Sequence, residues 1–108
     1  MTVNYEGFDA YQRLAARTAL YEDRMYPIVS LMVEAAELAD LFVKPILRGD
    51  AVDIDTNKVI SEAGDVLWNL AMILEDMGLS LEKVAQANIK KLEKRLNEGT
   101  IQGSGGDR

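Results

Sequence analysis

The 108-residue chain carries 18 acidic and 12 basic side chains, a formal net charge of −6, and contains neither cysteine nor histidine. That acidic balance argues against a nucleic acid or an anionic membrane surface as the main partner. The missing residue types exclude disulfide scaffolds, thiol chemistry, Cys/His zinc sites and Ser-His-Asp triads, and a chain of this length forms one domain.

The first helix is predicted over residues 8–22, because apolar side chains recur there at helical spacing with no glycine or proline between them. Gln12, Arg13 and Arg17 lie off the centre of that apolar stripe. They either line a ligand pocket or point into solvent.

Two longer helices follow, at about 27–44 and 56–77. Pro27 suits the first turn of the earlier one, whereas Pro45 disfavours helical geometry in the residue before it and sets the predicted end. Asp53 or Asp55 is predicted to cap the later helix, which ends at Gly78, the usual position of a C-terminal glycine.

Each of these two helices carries a pair of acidic side chains in an otherwise apolar run, Glu34 with Glu37 and Glu62 with Asp65. A spacing of three residues leaves the two carboxylates about 60° apart on one helical face, so both can reach one point. If the helices pack together, small residues between the acids permit close approach and four carboxylates converge. Those small residues are Ala35, Ala36, Ala63 and Gly64.

Four converging carboxylates repel one another strongly in a partly desolvated site. They therefore either take up protons or hold a divalent cation, and hard oxygen ligands suit Mg²⁺, Mn²⁺ or Ca²⁺. We favour a metal site. The alternative interpretation is that each acidic stripe is the solvated face of an amphipathic helix.

The fourth helix is predicted over residues 81–97, with Ser80 as its N-terminal cap. Asn88 falls within its apolar stripe, with Arg95 near that stripe and Lys91 on its flank. An embedded amide needs a hydrogen-bond partner, and cations on the same side suit phosphate. The alternative is a solvated basic end that favours the negative C-terminus of the helix.

Residues 1–98 are thus predicted to form one all-α domain, and residues 99–108 a glycine-rich C-terminal tail without regular structure. No apolar run approaches the length of a membrane span, and the N-terminal residues lack the features of a signal peptide. We expect a cytoplasmic protein. The apolar excess of the second and third helices favours an oligomer.

The chain resembles the MazG-like, all-α nucleoside triphosphate pyrophosphohydrolases over nearly its whole length. The ordered pairs Glu34-x-x-Glu37 and Glu62-x-x-Asp65 carry the resemblance, the second pair within Glu-Ala-Gly-Asp-Val-Leu-Trp-Asn-Leu at 62–70. Four further segments extend it: Phe8-x-x-Tyr11-Gln12, Arg17-Thr18-Ala19, Gly78-Leu-Ser-Leu-Glu and Asn88-x-x-Lys91-Leu-x-Lys-Arg95.

This resemblance implies a four-helix MazG-like bundle completed by oligomerisation, as a homodimer or homotetramer with active sites near the subunit contact. It implies that Glu34, Glu37, Glu62 and Asp65 hold Mg²⁺, or Mn²⁺ in its place, and that a nucleoside triphosphate is split into monophosphate and pyrophosphate. Glu37 is the candidate base for the attacking water, and Glu62 is the second catalytic candidate. Substrate contacts are expected from Gln12, Arg17, Trp68, Asn69, Asn88, Lys91 and Arg95.

Other functions fit the same residues. Within the all-α superfamily, a dUTP/dCTP-selective pyrophosphatase and the phosphoribosyl-ATP pyrophosphohydrolase of histidine synthesis would have a similar metal site. Outside it, the chain could be a non-catalytic helical oligomerisation module whose acids form salt bridges with a neighbour, or a nucleotide-binding regulator without turnover.

Overall fold

A computed structural model describes residues 4–49 and 51–99 of the chain, the side chain of residue 51 excepted. Every regular element in these ranges is helical, and no strand occurs among the described residues. The prediction of an all-α chain with four helices is confirmed. The helices are α1 (Gly7–Ala16), α2 (Met25–Arg48), α3 (Thr56–Asp76) and α4 (Leu81–Asn97), with a short 3₁₀ turn at Ala51–Asp53.

The two long helices α2 and α3 pack against each other in antiparallel orientation. Arg24, just before α2, donates a hydrogen bond of 3.0 Å to the carbonyl oxygen of Asp76 at the end of α3. Further along α2, Glu34 approaches Glu62 in the first half of α3. Residues further along α2 thus contact residues nearer the start of α3, which is the pattern of two antiparallel helices joined as a hairpin.

Helices α1 and α4 contact α3 and each other, whereas neither makes a close backbone contact with α2 among the described residues. The buried apolar core accordingly lies where α1, α3 and α4 meet. Its buried apolar side chains are those of Ala15, Ala71, Met72 and Leu81, with Tyr11, Tyr21, Trp68 and other partly buried side chains around them. This is a small core for a chain of such length.

Gln12 joins the three helices that form this core. Its side chain is 5% exposed, and its Nε2 donates to the carbonyl oxygens of Leu79 at 2.9 Å and Ala71 at 3.5 Å. Its Oε1 accepts the backbone N–H of Leu81, the first residue of α4, at 2.8 Å. That N–H has no partner within its own helix, so Gln12 supplies the one it needs.

Helix α1 ends at Ala16, so the predicted extension to residue 22 is wrong. Thr18 Oγ1 donates to the carbonyl oxygen of Ala15 at 2.7 Å, and the N–H groups of Arg17 and Thr18 bond to carbonyls three residues back. A hydroxyl that bonds to the nearby backbone competes with continuation of the helix. The chain turns away here and leads toward α2 and the end of α3.

Helix α2 runs through Pro45 to Arg48, so the prediction that it stops at Lys44 is wrong. Pro45 lacks the N–H that would bond to the carbonyl oxygen of Leu41, which costs about 3 kcal/mol inside a helix. Burial of the proline ring offsets part of that cost. The helix ends where Gly49 adopts a φ of 77°, a left-handed conformation that glycine reaches without strain.

The bounds of α3 and α4 agree with the prediction, because local caps determine them. Asp55, rather than Asp53, caps α3 and accepts two N–H groups of its first turn at 3.0 and 3.2 Å. Gly78 follows α3 with a φ of 71°, and Ser80 Oγ accepts an N–H of the first turn of α4 at 3.2 Å.

The predicted tail lies outside the described residues, apart from Gly99. Among the residues that are described, no helix combines the length and the apolar character that a membrane crossing requires.

We expect Gln12→Ala to lower the free energy of unfolding by about 2–4 kcal/mol, because it leaves backbone groups at the junction of three helices without partners. Urea unfolding followed by circular dichroism measures this. The matched control is Gln86→Ala on α4, whose exposed side chain donates a hydrogen bond to Glu82 of the same helix. It should change stability by no more than about 0.5 kcal/mol; similar values for both variants would show that the junction does not depend on Gln12.

Candidate metal centre and the cleft beside it

Three carboxylates converge between α2 and α3. Glu34 of α2 and Glu62 and Asp65 of α3 each present an oxygen, and these oxygens lie within 4.8 Å of one another. The spacing of three residues between Glu62 and Asp65 puts both on one face of α3, and the antiparallel pairing brings Glu34 opposite them. Three of the four predicted ligands thus meet at one point.

The small residues that separate the acids do not lie between the helices. Ala35, Ala36, Ala63 and Gly64 are all exposed, and a Cβ added at Gly64 would meet no atom within 4 Å. The expectation that they let α2 and α3 approach each other is therefore wrong. Glu34 and Glu62 are half-buried, whereas Asp65 and the small residues between the acids are exposed.

The donor set fits a hard divalent cation. Glu34 and Glu62 are half-buried, and the Oε2 atom of each is buried without a hydrogen-bond partner among the described residues. Buried carboxylate oxygens are costly unless a cation or a proton satisfies them. Carboxylates are the ligands that Mg²⁺ and Mn²⁺ prefer, so these three residues could hold such an ion.

Glu34 shows the electrostatic cost of this cluster. When Glu34 is protonated it can donate a hydrogen bond to Glu62; that bond and then burial raise the pKa of Glu34 from 4.5 to about 7, with smaller contributions from the charges of Glu37, Glu62 and Asp65. Two carboxylates this close are most stable when they share one proton. A divalent ion would replace that proton and satisfy both oxygens.

Glu37 lies on the same face of α2, one helical turn beyond Glu34, but it is not one of the three clustered carboxylates. Its side chain is exposed, and its charge contributes to the raised pKa of Glu34. The fourth predicted ligand is therefore near the cluster and remains open to solvent.

A cleft of about 600 Å³ adjoins the carboxylate cluster. Asp65 belongs to both, because it lines the cleft and also presents an oxygen to the cluster. The volume falls within the range typical of small-molecule sites. The other residues that line the cleft are Thr18, Leu20, Tyr21, Tyr26 and Trp68.

Aromatic rings form one wall of this cleft. Tyr21 and Tyr26 are stacked, with ring centroids 5.6 Å apart, and Trp68 stands nearly perpendicular to both at 82°. Tyr21 donates a hydrogen bond of 2.7 Å to Asp76; burial and that bond raise the pKa of Tyr21 to about 12, so it stays protonated. Trp68 follows Asp65 by one helical turn, which places an aromatic ring beside a candidate metal ligand.

Asn69 lies next to the cluster on α3, beneath Asp65. It is only 2% exposed, and its Nδ2 donates to the carbonyl oxygen of Asp65 at 2.9 Å. Its Oδ1 has no hydrogen-bond partner among the described residues. Asn69 therefore braces the helical turn that carries Asp65 and leaves one buried acceptor for a water molecule or a ligand.

The remaining predicted substrate contacts are placed differently. The amide of Gln12 is occupied by three backbone groups, which makes it a structural residue and a poor candidate for a base contact. Arg17 is exposed at the end of α1, and Asn88 and Lys91 are exposed on α4, where Arg95 is half-buried. Helix α4 does not approach α2 closely in the described part of the chain.

The sequence prediction missed most of the cleft. Thr18, Leu20 and Tyr21 lie in the connection between α1 and α2, part of which the sequence pattern places in the first helix, and Tyr26 lies in the first turn of α2. Aromatic residues make up only 6% of the chain. The available signal was that two of the few aromatic residues, Tyr21 and Tyr26, lie close together in the sequence.

The helical fold and its carboxylate cluster define a known class of protein. Residues 27–100, which include both acid pairs, match the family model described as the MazG nucleotide pyrophosphohydrolase domain. The chain belongs to this family, and the predicted resemblance is confirmed. Membership of the family implies pyrophosphohydrolase activity.

One curated relative is a phage protein. The chain is 38% identical to the Gene 37 protein of Mycobacterium phage L5 over 112 aligned positions, which cover 93% of this chain and 97% of the phage protein. No solved structure gave a significant match.

The raised pKa of Glu34 predicts how stability depends on pH. Because the fold favours the protonated form, this group's stabilising contribution is complete below about pH 4.5 and is lost as the pH rises through about 7. The metal-free protein should therefore lose stability across that interval, and Glu34→Gln should reduce the loss, since an amide carries no charge. Urea unfolding in a chelating buffer at several pH values measures it.

The control for this experiment is Glu93→Gln, which removes an exposed carboxylate from α4 and should keep the wild-type pH dependence. Saturating Mg²⁺ should reverse the trend at Glu34, because metal binding requires the deprotonated carboxylate. A Glu34→Gln variant with the same pH dependence as wild type would contradict the proton-sharing pair.

Proposed function

We propose that this protein hydrolyses nucleoside and deoxynucleoside triphosphates to the monophosphate and pyrophosphate, with Mg²⁺ or Mn²⁺ as cofactor. One observation supports this above all: Asp65 belongs both to a carboxylate cluster suited to a divalent ion and to an aromatic cleft of nucleoside size. A triphosphate bridging these two features would have its phosphates at the cluster and its base among the rings.

The negative charge of the clustered carboxylates means that the site requires cations to bind a triphosphate. A nucleoside triphosphate carries about four negative charges, so Glu34, Glu62 and Asp65 repel it unless divalent ions neutralise both partners. Such an ion, when bound, polarises the phosphate chain and lowers the pKa of a bound water. The proposed ligands are Glu34, Glu62 and Asp65, with Glu37 as a fourth.

Glu37 is the proposed general base and Glu62 the second catalytic residue. Glu37 is exposed to solvent beside the cluster, where it can take the proton of an attacking water. Glu62 presents an oxygen to the cluster, and its Oε2 is buried without a hydrogen-bond partner among the described residues, so it can orient the reacting group while α3 fixes its own position. No histidine is required for this chemistry.

Trp68 and the two tyrosines are the proposed base contacts. Stacking on an aromatic ring contributes about 1–3 kcal/mol per base and does not depend on which base is bound. Asn69 supports the position of Asp65 beneath the phosphates. Arg17, Asn88, Lys91 and Arg95 are the proposed phosphate contacts, on the strength of the family resemblance and their charge or amide; Gln12 is not among them.

We also propose that the chain works as a homodimer or homotetramer in the cytoplasm. A single chain has a small buried core, whereas α2 exposes a long apolar face. The exposed alanines of that helix would let another helix approach closely. The large exposed apolar residues of α2 are Met25, Tyr26, Ile28, Val29, Met32, Val33, Val43, Ile46 and Leu47. A face of this kind is typical of a subunit interface.

A panel of the eight common nucleoside and deoxynucleoside triphosphates, together with phosphoribosyl-ATP, tests the activity when assayed with Mg²⁺. We expect monophosphate and pyrophosphate in equal amounts, and a loss of at least about 100-fold in Glu62→Gln, because even residues behind a metal ligand cost 10–100-fold. Turnover of phosphoribosyl-ATP alone would assign the chain to another branch of the superfamily.

Metal binding separates the enzyme from a non-catalytic module. Mg²⁺ at about 100 times its dissociation constant should stabilise the wild-type fold by about 2.7 kcal/mol, and Glu62→Gln should lose most of that gain while keeping its helical circular dichroism. Absence of both turnover and metal stabilisation in wild type would refute the proposal in favour of a helical oligomerisation module.

Met32→Glu tests the assembly. Met32 is 63% exposed on the apolar face of α2, so a charge there should dissociate an oligomer formed through this face, as measured by light scattering after gel filtration. Gln86→Glu adds the same charge on exposed α4 and should leave the mass unchanged. A wild-type protein that elutes as a monomer at micromolar concentration would contradict this part of the proposal.

A further inference from the structure

Thr18 links the end of α1 to the aromatic wall of the cleft. Its Oγ1 accepts a hydrogen bond of 2.8 Å from Nε1 of Trp68, and the same oxygen donates one of 2.7 Å to the carbonyl oxygen of Ala15. A threonine hydroxyl has one proton to donate, and here it is donated in the hydrogen bond to the carbonyl oxygen of Ala15. The bond with Trp68 can therefore form only with the indole as donor, since an indole N–H accepts nothing.

This chain of hydrogen bonds starts from the core of the protein. Ala15 is buried and packs with Ala71, Met72 and Leu81, so its carbonyl group is a fixed point. Through its hydrogen bonds to Ala15 and Trp68, Thr18 restrains the edge of the Trp68 ring relative to that carbonyl group. Trp68 is itself half-buried and lies edge-to-face with Tyr21 and Tyr26. Rotation of the indole about its side-chain bonds would break its bond to Thr18.

We propose that Thr18 is a positioning residue, which acts through Trp68 to hold the ring in the orientation that receives the nucleobase. This inference rests on the proposed function. It follows that the indole N–H is already occupied and does not read the edge of a base. Trp68 would then contribute stacking area rather than hydrogen-bond selectivity, and removal of the Thr18 hydroxyl would weaken base binding without altering the phosphate end of the site.

Two substitutions test the role of the hydroxyl. Thr18→Val keeps the shape of the side chain and removes both hydrogen bonds, whereas Thr18→Ser keeps the hydroxyl and removes only a methyl group. Trp68 is the single tryptophan of the chain, so its fluorescence reports on this ring alone. In the free protein, acrylamide quenching should increase in Thr18→Val and match wild type in Thr18→Ser.

Kinetics with the best-hydrolysed triphosphate of the panel give the second readout. We expect KM to rise about five-fold in Thr18→Val, the equivalent of one neutral hydrogen bond, with kcat within about two-fold of wild type. Thr18→Ser should restore the wild-type KM. Inorganic tripolyphosphate, which has the phosphate chain and no base, should inhibit wild type and Thr18→Val with the same inhibition constant.

The outcomes separate this inference from the proposed function. Unchanged quenching and unchanged KM in Thr18→Val would overturn the positioning role while activity stands. An equal rise in KM and in the inhibition constant of tripolyphosphate would also overturn it, because the substitution would then weaken binding of the phosphate chain as well as of the base. Failure of Thr18→Ser to restore KM would show that the methyl packing, and not the hydroxyl, matters. An inactive wild type would refute the proposed function, and the quenching of the free variants would still report whether Thr18 orients Trp68.

Discussion

Three carboxylates within 4.8 Å of one another, carried by two antiparallel helices, are the constraint on which the rest of the site depends. Like charges at this distance cannot all remain ionised without a cation, and the pKa of Glu34 rises because it shares a proton with Glu62. A proton shared in the metal-free protein and a divalent ion, if one binds there, would therefore each reduce the repulsion among these carboxylates. Packing of α2 on α3 supplies the force that keeps the carboxylates together against their repulsion.

The sequence predicted the fold best where structure is determined locally. Asp55, Gly78 and Ser80 each set a helix end through their own side-chain or backbone preferences, and the bounds of α3 and α4 agree with the prediction. The two failures have different causes. Helix α1 stops early because the Thr18 hydroxyl bonds to the nearby carbonyl oxygen of Ala15, and α2 continues because Pro45 is buried within it.

The candidate site was predictable to the extent that helical spacing determines it. The intervals 34–37 and 62–65 were enough to predict which helical faces carry acid, and the structure brings Glu34, Glu62 and Asp65 together. Spacing could not identify Tyr21 and Tyr26 as walls of the cleft, because Tyr21 lies in a connection without helical periodicity and Tyr26 lies at the very start of α2. Nor could it show that Gln12 bonds to the backbone, since a buried structural amide and a ligand-binding amide look alike in sequence.

The position of Glu34 has a further consequence for how the parts of the protein depend on one another. Helix α2 carries this carboxylate, yet α3 and the short 3₁₀ turn are the only other helical elements that it contacts among the described residues, and its outer face is apolar and exposed. Core residues hold Asp65 and Trp68 in place through α3, whereas nothing comparable in the described chain holds α2 from its other side. A second copy covering that face would fix Glu34 relative to Glu62 and so favour the geometry that a divalent ion needs. Assembly and metal binding would then stabilise the same arrangement of α2 on α3, the one in which the carboxylates converge. Each process would therefore increase the affinity of the other.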